Sequence, residues 1–184
     1  MALEPNTTGD APKVAATAFV HPMATLIGHV VVEDGVFVGP GAVLRADEPG
    51  PDGTVEPIVV GRGANVQDCV VVHALGGTSV KIGPGSSIAH AAVVHGPCTI
   101  GAHCFVGFNS TVYKSTLGDG VIVMHHALVE GAAVPAGRHV PSTGHVRSDA
   151  DARHLQHATP DLIAFAQKVS QTNNHLAAGF LRVF

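Results

Sequence analysis

Aliphatic residues recur every six positions along most of this 184-residue chain. They stand at Val14, Val20, Leu26, Val32, Val38 and Leu44, then at Val60, Val66 and Val72. The series resumes at Ile82, Ile88, Val94, Ile100, Val106 and Val112, and Leu117, Val123 and Val129 continue it one residue out of step. A helix repeats its apolar face at three and four, and a half-buried strand at two. A period of six fits neither. It is the mark of a hexapeptide parallel β-helix, in which six residues make one short strand and a turn, and three such units close a triangular coil. One aliphatic residue per strand then points inward, and coils rise by about 4.8 Å. Glycine often follows that residue, as at Val38-Gly39, Ile82-Gly83 and Ile100-Gly101, where it is expected to permit a tight corner.

Two stretches break the phase. Arg45-Ala-Asp47-Glu48-Pro49-Gly50 opens a polar excursion reaching Glu56, and Ala74 to Val80 forms a second, Gly-rich link. After Pro141 the pattern stops. Ser148 is the expected N-cap of a short helix running to His157, and Thr159-Pro160-Asp161 supplies a cap, a proline and an acid for a second helix. Leu162, Ile163, Ala166, Val169, Leu176 and Phe180 form its apolar stripe, expected to lie against the outside of the coil. The organisation expected is a single domain over 1–184, with the β-helix over 14–146 and a helical segment over 147–184 packed alongside.

Composition narrows the functional classes. The net charge of -4 and the absence of a Lys/Arg cluster argue against nucleic acid or an anionic membrane as partner. No apolar run is long enough to cross a bilayer, and residues 1–13 carry no leader pattern, so a cytoplasmic protein is expected. Cys69, Cys98 and Cys104 are odd in number and show no paired spacing; they read as buried, inert thiols.

The histidines carry the chemistry. His73 follows phase residue Val72, and His95 follows Val94. Once the four extra residues of the link are discounted, one coil separates them, so they stack on one outward face. Two such imidazoles, about 5 Å apart, can share one zinc. His90 follows Ile88 by two residues and lies on the preceding face, beyond a corner. A three-fold trimer would let His90 of one subunit complete the pair of its neighbour. Three imidazoles with a fourth position open describe a catalytic metal site. The competing reading is that these are ordinary surface histidines.

At these residues the chain resembles the gamma-class carbonic anhydrases. Arg45-x-Asp47-Glu48, Asn65-Val-Gln67-Asp68, His73-Ala-Leu, Ala89-His90-x4-His95-Gly-Pro and Asn173-x-His175-Leu-Ala occur in that family's order, and the likeness covers almost the whole chain. The resemblance implies a left-handed winding, a homotrimer, and reversible hydration of CO2 to bicarbonate by a metal-bound hydroxide at the subunit boundary. It implies that His73, His90 and His95 hold the metal, with Zn2+ first and Fe2+ or Co2+ compatible. By the same resemblance Gln67 would hydrogen-bond the hydroxide, and Asn65 would orient CO2. Glu48 would transfer protons, and Asn173 would lie close to the pocket. Arg45, Asp47 and Asp68 would form interface ion pairs. The chain departs from the family prototype in its link Ala74-Leu75-Gly76-Gly77-Thr78-Ser79, which carries no acid to shuttle protons outward.

Two other functions share this coil. A non-catalytic assembly or scaffold subunit is compatible with the missing acidic loop. A hexapeptide acyltransferase uses a single histidine as base and has no use for a stacked pair.

Overall fold

The computed structural model describes residues 2–183. Its 22 short strands build three parallel sheets, the faces of a left-handed prism of about seven turns. The first face has eight strands, from Ala2–Glu4 through Val71–His73 and Val93–His95 to His145–Val146; the other two faces have seven each. The phase residues meet in register inside: Val72 with Leu44 and Val94, Ile82 with Val60 and Ile100, Ile88 with Val66 and Val106. They form one continuous aliphatic core, and nearly all are fully buried. Strand Ala2–Glu4 pairs with Thr25–Gly28, so pairing begins ahead of Val14.

The phase slip after Val112 has a structural origin. Ile100 pairs with Leu117 and Leu117 with Val134, so these coils are 17 residues long rather than 18. One residue is dropped at the corner after Val112, where Lys114 turns at φ 49°, and another at the corner after Val129, where Gly131 turns at φ 64°. Counted this way the repeat does not stop at Pro141: Val140 and Val146 stack beneath Val123 and Val129.

The glycines after the phase residues play a different part from the one expected. Gly83 and Gly101 do not adopt left-handed dihedrals; the positive-φ corners are further along, at Gly41, Gly63 and Gly85. What Gly83 provides is closeness. A Cβ there would lie 2.5 Å from the backbone of Gly101 in the next coil.

Helix α1 (Asp149–His154) starts at Ser148, whose hydroxyl accepts from the Asp151 amide. It ends three residues short of His157. The chain beyond it pairs instead with the last coil: His139 N–H donates to Gln156 O, and Ala158 N–H to Gly137 O. Helix α2 (Pro160–Phe180) starts at Thr159, whose hydroxyl accepts from the Leu162 amide. It crosses the third face, with Leu162, Ala166 and Val169 on Ala89, Phe105 and Ile122, and Phe180 stacked on Phe19 at 4.9 Å between centroids. Ile163 and Leu176 stay exposed, because the buried line runs through 162, 166, 169, 177 and 180 and passes between them. Cys98 and Cys104 are buried as expected. Cys69 is exposed, since it occupies a left-handed corner at φ 59°. No helix among the described residues is long and apolar enough to cross a membrane.

Candidate metal centre

Strands Val71–His73 and Val93–His95 pair in parallel on the first face, with His73 directly opposite His95. One rung earlier, Arg45 stands opposite His73; one rung later, Tyr113 stands opposite His95. The two imidazoles meet edge to face at 4.8 Å between centroids, and His73 Nδ1 is 3.0 Å from His95 Nε2. Their order on the coil is as the repeat implied. Their exposure is not: His73 is only 7% exposed, because two excursions fold over it.

Those excursions, 47–57 and 74–79, lie against each other through glycines, where a Cβ on Gly76 would sit 2.6 Å from Pro49 O. The acid-free link therefore has a role. The Gly76 amide donates to Glu48 Oε2 at 3.1 Å and holds the other carboxylate oxygen 3.4 Å from His73 Nε2. Asp47 lies 3.6 Å from the same nitrogen and 3.5 Å from Arg45 Nε.

Tautomers follow from the donors. A guanidinium can only donate. Arg45 Nη2, 3.1 Å away, therefore makes His73 Nε2 an acceptor, and His73 Nδ1–H donates onward to His95 Nε2. That leaves the proton of His95 on Nδ1, a buried nitrogen with no partner; Asp47 Oδ1 is likewise buried without a hydrogen bond. Buried polar atoms without a hydrogen bond are costly unless something outside this chain satisfies them. Burial, and next the Arg45 guanidinium, hold the His73 pKa below its ordinary value, against the raising pull of Glu48. A neutral imidazole is the form that binds a cation.

The donor set fits a divalent metal of zinc type. In this tautomer each imidazole has its lone pair on Nε2, facing the Arg45 guanidinium in His73 and the His73 Nδ1–H in His95, and a cation would take the place of those donors. The third histidine is elsewhere. His90 follows strand Ser87–Ile88 on the third face, exposed, with Nδ1 3.4 Å from Asp68 Oδ2. Among the described residues no three His, Cys, Asp or Glu side chains of one chain converge as a metal-holding group.

The third face carries its own half of the arrangement. Gln67 Nε2 donates to Asn65 Oδ1 at 2.9 Å, and Asn65 Nδ2 donates to Ser87 Oγ at 2.8 Å; both amides are buried. Gln67, Asp68, His90 and Asn173 line a cleft of about 530 Å³ between this face and α2, walled by Phe37, Phe105, Phe108 and Phe165. Asn173 is tied to its helix by donation to Val169 O at 3.0 Å. The ten residues singled out from sequence thus fall into two groups. Arg45, Asp47, Glu48, His73 and His95 gather on the first face; Asn65, Gln67, Asp68, His90 and Asn173 gather on the third. Asp68 pairs within the chain with His90 rather than with Arg45 and Asp47. Sequence reasoning passed over Phe108 and Tyr113, although each lies 18 residues after a candidate ligand.

Comparisons agree with this architecture. Residues 79–114 match the model of the bacterial transferase hexapeptide (six repeats) family. The chain is similar to a carbonic anhydrase from Methanosarcina thermophila, with 34% identity over 95% of this chain and 77% of that protein. It is also similar to the carboxysome assembly protein CcmM of a Nostoc species, with 37% identity over 92% of this chain and 31% of that protein; it spans about a third or less of such CcmM relatives. Among solved structures, a hexapeptide transferase family protein from Anaplasma phagocytophilum superposes with a TM-score of 0.80 at 29% identity, covering 97% of this chain and 98% of that one.

Proposed function

The chain belongs to the gamma-class carbonic anhydrase family of hexapeptide-repeat proteins, and from that premise we propose that it catalyses reversible, metal-dependent hydration of CO2 to bicarbonate in a site shared by neighbouring subunits of a homotrimer. The observation that carries this reading is the division of the machinery between two faces. His73 and His95 stand ready on the first face with orphaned atoms beside them, while His90, Gln67 and Asn65 stand on the third beside an open cleft. Closed three-fold symmetry sets the first face of one subunit against the third face of the next.

In this reading His73, His95 and the neighbour's own copy of His90 hold the cation. A divalent ion, zinc first and Fe(II) or Co(II) also compatible, supplies the Lewis acidity that makes hydroxide available near neutral pH. The Asn65–Gln67 pair, its own hydrogen bonds already directed by Ser87, presents fixed amide dipoles to nucleophile and CO2 without reorganisation. Glu48 accepts and releases the proton at Oε1, with Oε2 anchored by the link. The phenylalanine-walled cleft favours entry of an apolar gas. A reducing, cytoplasmic setting suits three free thiols.

A second reading has its own support. Carboxysome assembly proteins are among the relatives, and the acid-free link offers no carrier beyond Glu48, so a non-catalytic assembly subunit is the alternative. Metal analysis with stopped-flow CO2 hydration separates the two. About one cation per subunit and a rate above buffer supports the enzyme. Metal-replete protein with no rate leaves the assembly role. Stabilisation by acetyl-CoA, with none by zinc, would favour the acyltransferase.

A further inference from the structure

The coil that follows the candidate ligands holds three of the eight aromatic residues in the chain, and two of them, Phe108 and Tyr113, lie against histidines of the candidate set. Each lies one rung beyond a histidine. Tyr113 pairs with His95 in register, its ring meeting the imidazole edge to face at 5.5 Å between centroids and 71°. Phe108 lies beside His90 at 5.3 Å and 35°. These are ordinary distances for favourable aromatic pairs.

Both supports are themselves held from below or behind. His125 stacks flat on Phe108, at 4.3 Å and 15°, and its Nδ1 accepts from the Phe108 amide at 3.0 Å. Gly107 makes room for this, since a Cβ there would lie 2.8 Å from His125 Nδ1. Lys114 Nζ sits 5.0 Å from the centre of the Tyr113 ring. The result is a column His90–Phe108–His125 on one corner and a column His73–His95–Tyr113 on the first face.

We propose that Phe108 and Tyr113 are positioning residues for the metal centre, each fixing the ring of the histidine one coil above it. This rests on the metal-binding reading given above. An outward imidazole on a β-helix is otherwise free to turn about χ1 and χ2, and ordering it opposes ligation. A ring lying against it one rung away removes that freedom beforehand. His73 needs no such support, because His95 serves it in the same geometry. Groups that orient metal ligands typically change affinity by about 10–100-fold when lost.

The test replaces each ring by an apolar side chain that is not aromatic. Phe108→Leu and Tyr113→Leu are titrated with Co(II), followed by visible absorption, and with Zn(II) against a chromogenic chelator, while light scattering reports the trimer. Each Leu variant is expected to bind about tenfold more weakly with an altered Co(II) spectrum and an intact trimer, and Tyr113→Phe to bind as the parent does. Leu variants that match the parent in affinity and spectrum overturn the proposal, as does equal loss in Tyr113→Phe. Should Leu disturb assembly, Phe108→Met and Tyr113→Met are read by the same criteria. A parent protein that binds neither cation refutes the metal reading itself, and this inference with it.

Discussion

His73 shows how much one side chain depends on its cover. Its pKa is depressed by burial first and by Arg45 second. An unfolded chain therefore binds a proton at this residue more readily than the native one. The stabilisation from a neutral His73 is complete above its ordinary pKa of 6.5 and is lost as pH falls toward the depressed native value. His125 and His139, both lowered by burial, act in the same direction. The urea midpoint of metal-free protein should thus drop between pH 7.5 and 5.5, and drop less in His73→Gln. An equal drop in both proteins would show that His73 does not contribute. The thiols divide just as clearly: burial pushes Cys104 up to about 11 and raises Cys98, whereas Cys69 is exposed. Iodoacetamide at pH 8 should modify Cys69 alone in native protein and all three in urea, as read by peptide mass spectrometry.

At the scale of the coil, stability comes from stacking distance as much as from apolar area. Gly83→Ala would drive a methyl into the backbone of Gly101, where no rotamer change relieves it; a loss of about 2 kcal/mol is expected, in the range of overpacked cores. Gly120 faces open space at φ +66°, so Gly120→Ala should cost only the left-handed strain, about 1 kcal/mol. Chemical denaturation of the two variants checks the order, and a larger loss at Gly120 would show that dihedral freedom rather than closeness governs the repeat. The docking of α2 belongs to the same scale. Phe180→Ala removes the ring that stacks on Phe19 and Phe37 and should cost about 2 kcal/mol, with the tryptic sites at Arg182 and Lys168 cut faster.

At the scale of the whole molecule, the proposed site requires more than one subunit. A His90→Ala protein keeps the paired histidines of the first face, and a His73→Ala protein keeps the third-face half. Each alone should bind little metal. Mixed, unfolded together and refolded, random trimers would regain one whole site in most assemblies, about a quarter of the parent's metal. Mixed trimers that bind no more metal than either variant would place all ligands within one chain and refute the shared site.

The period of six carried a great deal by itself. It set the inward residues, the register of His73 on His95, and the separation of His90 onto another face, because in a β-helix sequence distance converts directly into rung and face. The caps at Ser148 and Thr159 were equally legible, since capping is local chemistry. What the period could not carry were contacts between segments that do not repeat. The clasp of the 74–79 link on Glu48, the burial of His73, the pairing of Asp68 with His90, and the rings of Phe108 and Tyr113 against the histidines all depend on side-chain direction and lateral packing. The 17-residue coils are the boundary case: each drops one residue and shifts the phase in sequence, yet the corners at Lys114 and Gly131 absorb it, and the stack continues because backbone pairing between coils outweighs a regular count. Spacing along the chain determined where each candidate histidine stands; only the folded excursions and neighbouring rungs decided which way it points and what it touches.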